Sequence, residues 1–334
     1  MVIPPKYFLT PKIASLLQSI EASKEVINST NIPIELETNI RRKSTLKSSL
    51  FSARIEGNTL TLEELPKISS KNQRTQEVFN ILRALNWVYE RRSTDISLKD
   101  ILKLHQMVLS GLIEKKDLGQ FRVDIGAIFN SSGVAIYLPP RPSQILPLVN
   151  KLITFTNSQK EQFIPIKAAL IHYTFEKIHP FLDGNGRVGR LLLQATLQKY
   201  GYGMKGMLPL EEYLDNHRSE YYFCLESTEK DVTDLIEFIL EAIAEAAKQA
   251  KEQVLSKESV QIEDLLLPRR AEILQIIKDH EIVNFDTIRR RFLAVNERTL
   301  RFDLKKLTDA RLIRKRGITK GVLYEPISFR PGTQ

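Results

Sequence analysis

The run His179-Pro180-Phe181-Leu182-Asp183-Gly184-Asn185-Gly186-Arg187-Val188-Gly189-Arg190 restricts this chain more than any other stretch. Apolar periodic segments flank it, Ile166 to Ile178 before and Leu191 to Tyr200 after. It therefore reads as a loop between two helices, with its glycines leading into the second. Core packing does not call for a histidine, a carboxylate, an amide, three glycines and two arginines in so short a span. Gly184 and Gly186 let backbone N–H groups converge, and the start of the next helix adds its dipole, which makes an anion cradle. Arg187 and Arg190 lie three apart on one helical face, so both guanidinium groups can reach the same polyphosphate. Asp183 is a hard oxygen ligand beside that cradle, suited to a Mg²⁺ that bridges phosphates. His179 is the nearby group that titrates near neutral pH, hence the candidate general base. These parts describe phosphoryl or nucleotidyl transfer, which depends on positioning and charge neutralisation.

Two plainer readings fail. Gly184 to Gly189 formally matches the G-x-G-x-x-G dinucleotide fingerprint, which requires a preceding strand and an acidic residue about 20 positions on. Here a helix precedes it, and Lys205 to Leu210 reads Lys-Gly-Met-Leu-Pro-Leu. A Gly-rich turn with solvated arginines would leave His179, Asp183 and Asn185 without a purpose.

His-Pro-Phe-x-Asp-Gly-Asn-Gly-Arg-x-x-Arg, complete from His179 to Arg190, resembles the core motif of the Fic family. Members of that family typically transfer AMP from ATP to a hydroxyl of a target protein. The resemblance implies that His179 deprotonates the incoming hydroxyl and that Asp183 binds Mg²⁺. It places Gly184, Asn185 and Gly186 on the α- and β-phosphates, Arg187 on the β-phosphate and Arg190 at the γ-phosphate. Val188 and Gly189 complete the nucleotide-binding stretch.

Upstream, Ser52-Ala53-Arg54-Ile55-Glu56-Gly57-Asn58 ends a helix, with Gly57 and Asn58 as a C-cap and Thr61 capping a short helix with Glu64. Ser-x-x-x-Glu-Gly also resembles the inhibitory motif that some Fic proteins carry before the catalytic domain. On that resemblance Ser52 and Glu56 are inhibitory, and Glu56 pairs with Arg190 to block the γ-phosphate subsite. Phe121 to Ile128 and Val134 to Leu138 are β-rich around Asn130-Ser131-Ser132-Gly133, a hairpin signal. The resemblance makes residues 126–140 the flap, on which an extended segment of a target protein docks by strand addition. Trp87, His105 and His172 read as packing residues. Glu211 to Arg218 with Tyr221-Tyr222 opens a helix whose aromatic rings and amide could hold an adenine; the resemblance brings Asn216 and Tyr222 to the nucleotide.

The net charge of +9 is unevenly placed: residues 266–334 hold 16 Lys/Arg against 8 Asp/Glu, the remainder 33 against 32. The basic excess thus belongs to the tail. There Arg269 to His280, Phe285 to Phe292 and Asn296 to Leu307 read as helices, with a hairpin around Gly317. Three helices and a hairpin with a basic third helix resemble a winged helix-turn-helix, in which Arg298, Arg301, Lys305, Arg314, Lys315, Arg316 and Lys320 suit phosphate contacts; that fold also serves protein contacts, so dimerisation or target docking stands beside DNA binding. A single cysteine, Cys224, fits a reducing compartment, and neither a leader nor a spanning segment is visible, so a cytoplasmic protein without a membrane partner is expected.

The expected fold class is mainly α: a Fic-type helical bundle with a β-hairpin flap, plus a small α+β winged-helix domain. The expected division is an N-terminal helical region with the inhibitory helix (1–95), a Fic catalytic domain (96–250) and the winged helix-turn-helix domain (265–334). The expected function is AMP transfer from Mg-ATP to a target protein or to the chain itself, self-inhibited through Glu56 and Arg190. Removal of AMP, another phospho-group transfer, or a nucleotide-sensing DNA-binding regulator are the alternatives. A homodimer is a further expected partner.

Overall fold

The computed structural model describes residues 1–64, 72–91, 95–129, 135–228, 230–256, 266, 268–293, 295–317 and 321–327. Two compact units result, one of residues 1–31 and 40–256, the other of 32–39 and 257–334. In the first, α1 (Pro11–Ser29) begins where the Thr10 hydroxyl accepts the Ile13 N–H and Pro11 supplies a pre-set φ. Its buried Ile13, Ile20 and Ile27, seven residues apart, form one stripe, and the helix packs along α10 (Thr233–Leu255). Between them in sequence come α2 (Ile34–Ile55), α3 (Gln73–Glu90), α4 (Leu98–Leu109), α5 (Pro142–Asn157), α6 (Ile164–Ile178), α7 (Asn185–Lys199), α8 (Leu210–Asn216) and α9 (Arg218–Leu225). Ser97 and Asp100 form the reciprocal capping box at the head of α4.

The centre of this unit is the α6–α7 pair. Both helices are buried round most of their circumference, and polar residues on them are hydrogen-bonded inside: Lys167 donates to the Tyr200 hydroxyl, 2.9 Å. A helix buried on every side holds its ends rigidly, and these two ends carry the loop at 179–190.

Two expectations change. The strand foreseen from Phe121 is short: among the described residues pairing is confined to β1 (Ile128–Phe129) and β2 (Ala135–Tyr137), antiparallel, while residues 121–127 follow an irregular path. Arg122 diverts this stretch from a ladder: its backbone N–H donates to Pro180 O, and its side chain takes Asp124 O and Pro140 O. The hairpin tip at Asn130–Gly133 lies outside the described residues. Residues 62–64 form a turn in which Glu64 accepts the Thr61 N–H, and the short helix foreseen after Thr61 falls on 65–71, outside the described residues. The helix foreseen across 211–222 is broken at His217 (φ −116°, ψ 37°) into α8 and α9.

In the second unit, α11 (Pro268–His280), α12 (Phe285–Arg291) and α13 (Glu297–Asp309) enclose an apolar core with β3 (Val283–Asn284), β4 (Ile313–Arg316) and β5 (Leu323–Pro326). The strands are antiparallel in the order β3-β5-β4. Asp303, 1% exposed, accepts from both Arg269 (2.5 Å) and Arg270 (2.9 Å). Lys320 lies outside the described residues. Among the described residues no helix is long and apolar enough to cross a membrane.

Candidate active site

α6 ends on His179, which adopts the left-handed conformation (φ 47°, ψ 58°) while its N–H still bonds Phe175 O at 3.0 Å. A non-glycine residue in that region costs of order 1–3 kcal/mol, so the surroundings must enforce it. Arg122 supplies the enforcement. Its Nε donates to His179 O (2.8 Å), and its terminal nitrogens donate to Asp124 O (2.9 Å) and Pro140 O (2.6 Å). Its backbone N–H donates to Pro180 O (3.0 Å). One side chain thus fixes the turn at His179 against both feet of the hairpin.

The imidazole Nδ1 of His179 lies 3.3 Å from Glu176 O. A carbonyl only accepts, so Nδ1 carries the proton and Nε2 presents its lone pair. Burial lowers this ring's pKa below the ordinary imidazole value, outweighing the Glu176 carbonyl, which favours the charged form. His179 is therefore a neutral base at pH 7.

The loop beyond it is internally clamped. The Asn185 side chain accepts the Phe181 N–H and donates to Phe181 O, both at 2.9 Å. Phe181 is fully buried and stacks on His105, ring centres 3.9 Å apart. The Gly119 N–H donates to His105 Nδ1 (2.9 Å), so the opposite nitrogen carries the proton and donates to Asp183 O, 3.1 Å. Burial pushes the His105 pKa down to about 4 and keeps it in this neutral tautomer. Gly184 caps α7 at φ +79°, where a Cβ would come within 2.8 Å of Leu109. Since Val188 N–H bonds Gly184 O, the N–H groups of Asn185, Gly186 and Arg187 have no acceptor within the helix. With the dipole they form an anion-binding end.

Charged side chains close over that end. Arg190, 2% exposed, donates from Nε to the Ser52 hydroxyl (3.0 Å) and from Nη2 to Ser52 O (2.9 Å) and Glu56 Oε1 (2.8 Å). Glu56 lies over Gly186, where an ideal Cβ would stand 2.3 Å from its Oε1. Arg187 donates to Asp183 Oδ1 (2.7 Å) and to Glu77 Oε1 (2.6 Å). Asp183 Oδ1 also accepts the Gly184 N–H (2.5 Å), and the side chain is about half exposed. A half-exposed carboxylate with an uncommitted second oxygen, beside an anion-binding helix end, fits the donor set of a phosphate-bound Mg²⁺.

Comparison with known proteins agrees with this geometry. Residues 95–197 match the model of the Fic/DOC family. This stretch is a Fic domain. The "Protein adenylyltransferase Fic" of Drosophila melanogaster is 28% identical over 236 residues, which cover 67% of this chain and 45% of that protein. That of Drosophila sechellia matches at the same level, so the chain spans less than half the length of these curated relatives. Among solved structures, a Fic family protein from Desulfovibrio desulfuricans G20 aligns over 99% of both chains, with TM-score 0.65 and 23% identity. Fic-1 from C. elegans aligns over 71% of both, with TM-score 0.58 and 24% identity. These two likenesses concern the fold.

The Fic loop brings His179, Asp183, Gly184, Asn185, Gly186, Arg187 and Arg190 together with Ser52 and Glu56, but it sorts them. The amide of Asn185 is spent on the loop, so only its backbone N–H faces an anion. Val188 is fully buried, and a Cβ on Gly189 would meet Glu176 and His172 behind the loop. Those two positions serve packing and not the cradle. Tyr222 is beside the turn that carries Glu56, its hydroxyl donating to Ile55 O at 3.1 Å. Asn216 is not: exposed at the end of α8, it lines a separate depression with Pro209, Tyr213 and Gln249, while its neighbour Asp215 takes the inward position against Arg54 and Arg218. His172 is fully buried with Nε2 2.7 Å from the Tyr221 hydroxyl, its pKa pushed to about 3 by burial, as a packing residue should be. Sequence reasoning read Asn58 only as a helix cap and missed Glu77 and Arg122. No local pattern marks them, because each acts on residues far away in the chain.

Proposed function

We propose that this chain is a protein adenylyltransferase that moves AMP from Mg-ATP to a hydroxyl of a target protein or of itself, and that Glu56 restrains it. The observation that carries the reading is the neutral His179, Nε2 lone pair available, beside an α7 N-terminus bearing two arginines. In the reaction the substrate hydroxyl oxygen attacks the α-phosphorus and its proton passes to His179 Nε2. The bond from the α-phosphorus to the oxygen bridging the β-phosphate breaks, and pyrophosphate leaves. The N–H groups at 185–187 hold the α- and β-phosphates, Arg187 neutralises the β-phosphate, and Arg190 takes the γ-phosphate once Glu56 has left it. Asp183 would hold Mg²⁺, which neutralises phosphate charge when bound. The hairpin at 126–140 receives an extended target segment by strand addition and so delivers the hydroxyl. The relatives named protein adenylyltransferase support this assignment.

The test is incorporation of α-³²P label from ATP into protein by wild type, Glu56→Gly and Glu56→Gly/His179→Ala. Label that appears with the single change and vanishes with the double one is expected. No label in any of the three, with nucleotide still bound, would move the reading to another donor or to removal of AMP, where Glu56 would orient a water.

For the second unit we propose duplex DNA as a partner. Arg298, Arg301 and Lys305 are exposed along α13, one turn apart, as phosphate contacts require. Binding to a random-sequence duplex that weakens steeply with salt is expected, and salt-independent or absent binding would leave a protein-docking role or a homodimer contact.

A further inference from the structure

The inhibitory helix is fixed along its length. Ser48 donates to Glu211 (2.6 Å), Arg54 pairs with Asp215 (3.2 Å), Arg218 donates to Arg54 O (2.7 Å) and Tyr222 to Ile55 O (3.1 Å). Everything up to Ile55 is therefore bolted to α8 and α9, and relief of inhibition falls to the turn at 56–58. On its far side that turn is tied to α3. Asn58 Nδ2 donates to Glu77 Oε2 (2.8 Å) and to Arg74 O (3.0 Å). The other oxygen of the same carboxylate accepts from Arg187 (2.6 Å).

We infer that Glu77 is a second brake: it holds Arg187 in a carboxylate pair and, through Asn58, links occupancy of Arg187 to the turn that carries Glu56. The inference rests on the nucleotide-transfer reading for the role of Arg187, and its geometry is independent of the Glu56–Arg190 contact. Arg187 is 7% exposed and faces two carboxylates, Glu77 and Asp183, so the triad carries a net charge of −1. A phosphate approaching it meets charge already neutralised, and in a partly desolvated site that opposition is only weakly screened. If a β-phosphate takes Arg187 from Glu77, the carboxylate loses its cation and the Asn58 contact loosens with it. The hold on the turn then weakens, and Glu56 leaves Arg190 more readily. Linkage makes the relation reciprocal: loosening the turn favours the nucleotide.

ADP and ATP separate the two brakes, because ADP lacks the γ-phosphate that Glu56 obstructs. Dissociation constants for both nucleotides with MgCl₂ are to be measured by calorimetry on the full chain, for wild type, Glu56→Gly, Glu77→Gln and Asn58→Ala. Glu77→Gln should tighten both ADP and ATP about fivefold or more, a coupling of the usual allosteric size. Glu56→Gly should tighten ATP alone. Asn58→Ala, which leaves the Arg187–Glu77 pair intact, should tighten ATP most and ADP by the smaller share that reciprocity requires. A strut with only a structural role would give unchanged or weaker ADP binding in Glu77→Gln, and that result overturns the second brake. ATP affinity unmoved in Asn58→Ala overturns the link to the turn. Neither readout requires transfer, so failure of Glu56→Gly to label protein would remove the transferase reading while these affinities still judge Glu77.

Discussion

The loop at 179–190 and the C-terminal unit both concentrate arginine, to opposite effect. In the loop, Arg187 and Arg190 are 7% and 2% exposed, and each meets carboxylates at hydrogen-bonding distance. In the C-terminal unit, Arg301, Arg314 and Arg316 are 60–63% exposed, each with a single acidic neighbour 2.9–3.7 Å away at the surface. A buried guanidinium must have its partners built for it, so its place in the fold states what it is for. An exposed one contributes to a field that many anions can use, and its sequence context says much less.

Removing His179 should make the sharpest case for the first region. In the Glu56→Gly background, His179→Ala should cut α-label transfer by about 10²–10⁴-fold, the usual worth of a general base, with ATP binding nearly unchanged. Residual transfer near the parent rate would place the base elsewhere. The C-terminal unit contains one exception to its exposed character, and Asp303→Ala would test it. The change leaves Arg269 and Arg270 unpaired at the edge of the core and should lower that unit's unfolding free energy by about 2 kcal/mol, discounted because both cations keep some solvent. A loss within about 0.5 kcal/mol in thermal or urea unfolding would mean that Asp303 is no different from a surface charge. A pH profile sharpens the comparison further. Because the pKa of His179 is lowered, the neutral base persists as pH falls past the ordinary imidazole value of about 6.5, and transfer should decline only below it. An acid limb centred above that value would contradict a desolvated ring. The smallest effects belong to the exposed cations: Arg298→Ala and Lys305→Ala should each reduce the salt slope of DNA binding by about one. A single position that removed binding altogether would make this surface resemble the loop.

The same contrast governs what the sequence could reveal. Helix periodicity and caps located α1, α4, α6, α7 and the three helices of the tail, because each shows a local stripe or a local capping residue. The loop was legible because its chemistry is contiguous in the chain. Glu77 and Arg122 were not, because they reach the loop from 110 and 57 residues away and carry no pattern of their own, while Asn58 showed only as a helix cap. The strand expected from Phe121 failed for a related reason. β-branched and aromatic residues there satisfied a strand pattern, while one guanidinium took the carbonyls instead. Asn216 was drawn to the nucleotide by its neighbours in sequence, yet the break at His217 turned it outward.

Gly186 sets a limit on how this protein can drift over generations. A Cβ at that position would collide with the Glu56 carboxylate and stand 3.0 Å from Arg190. The smallest side chain there would therefore displace the Glu56 carboxylate and obstruct the anion cradle in one step. Under the proposed restraint by Glu56, release by that route would come bundled with loss of the proposed activity, so it would offer a lineage no advantage. Substitutions at Glu56 separate the two, and unrestrained descendants of this chain should carry their change at 56 and keep the glycine.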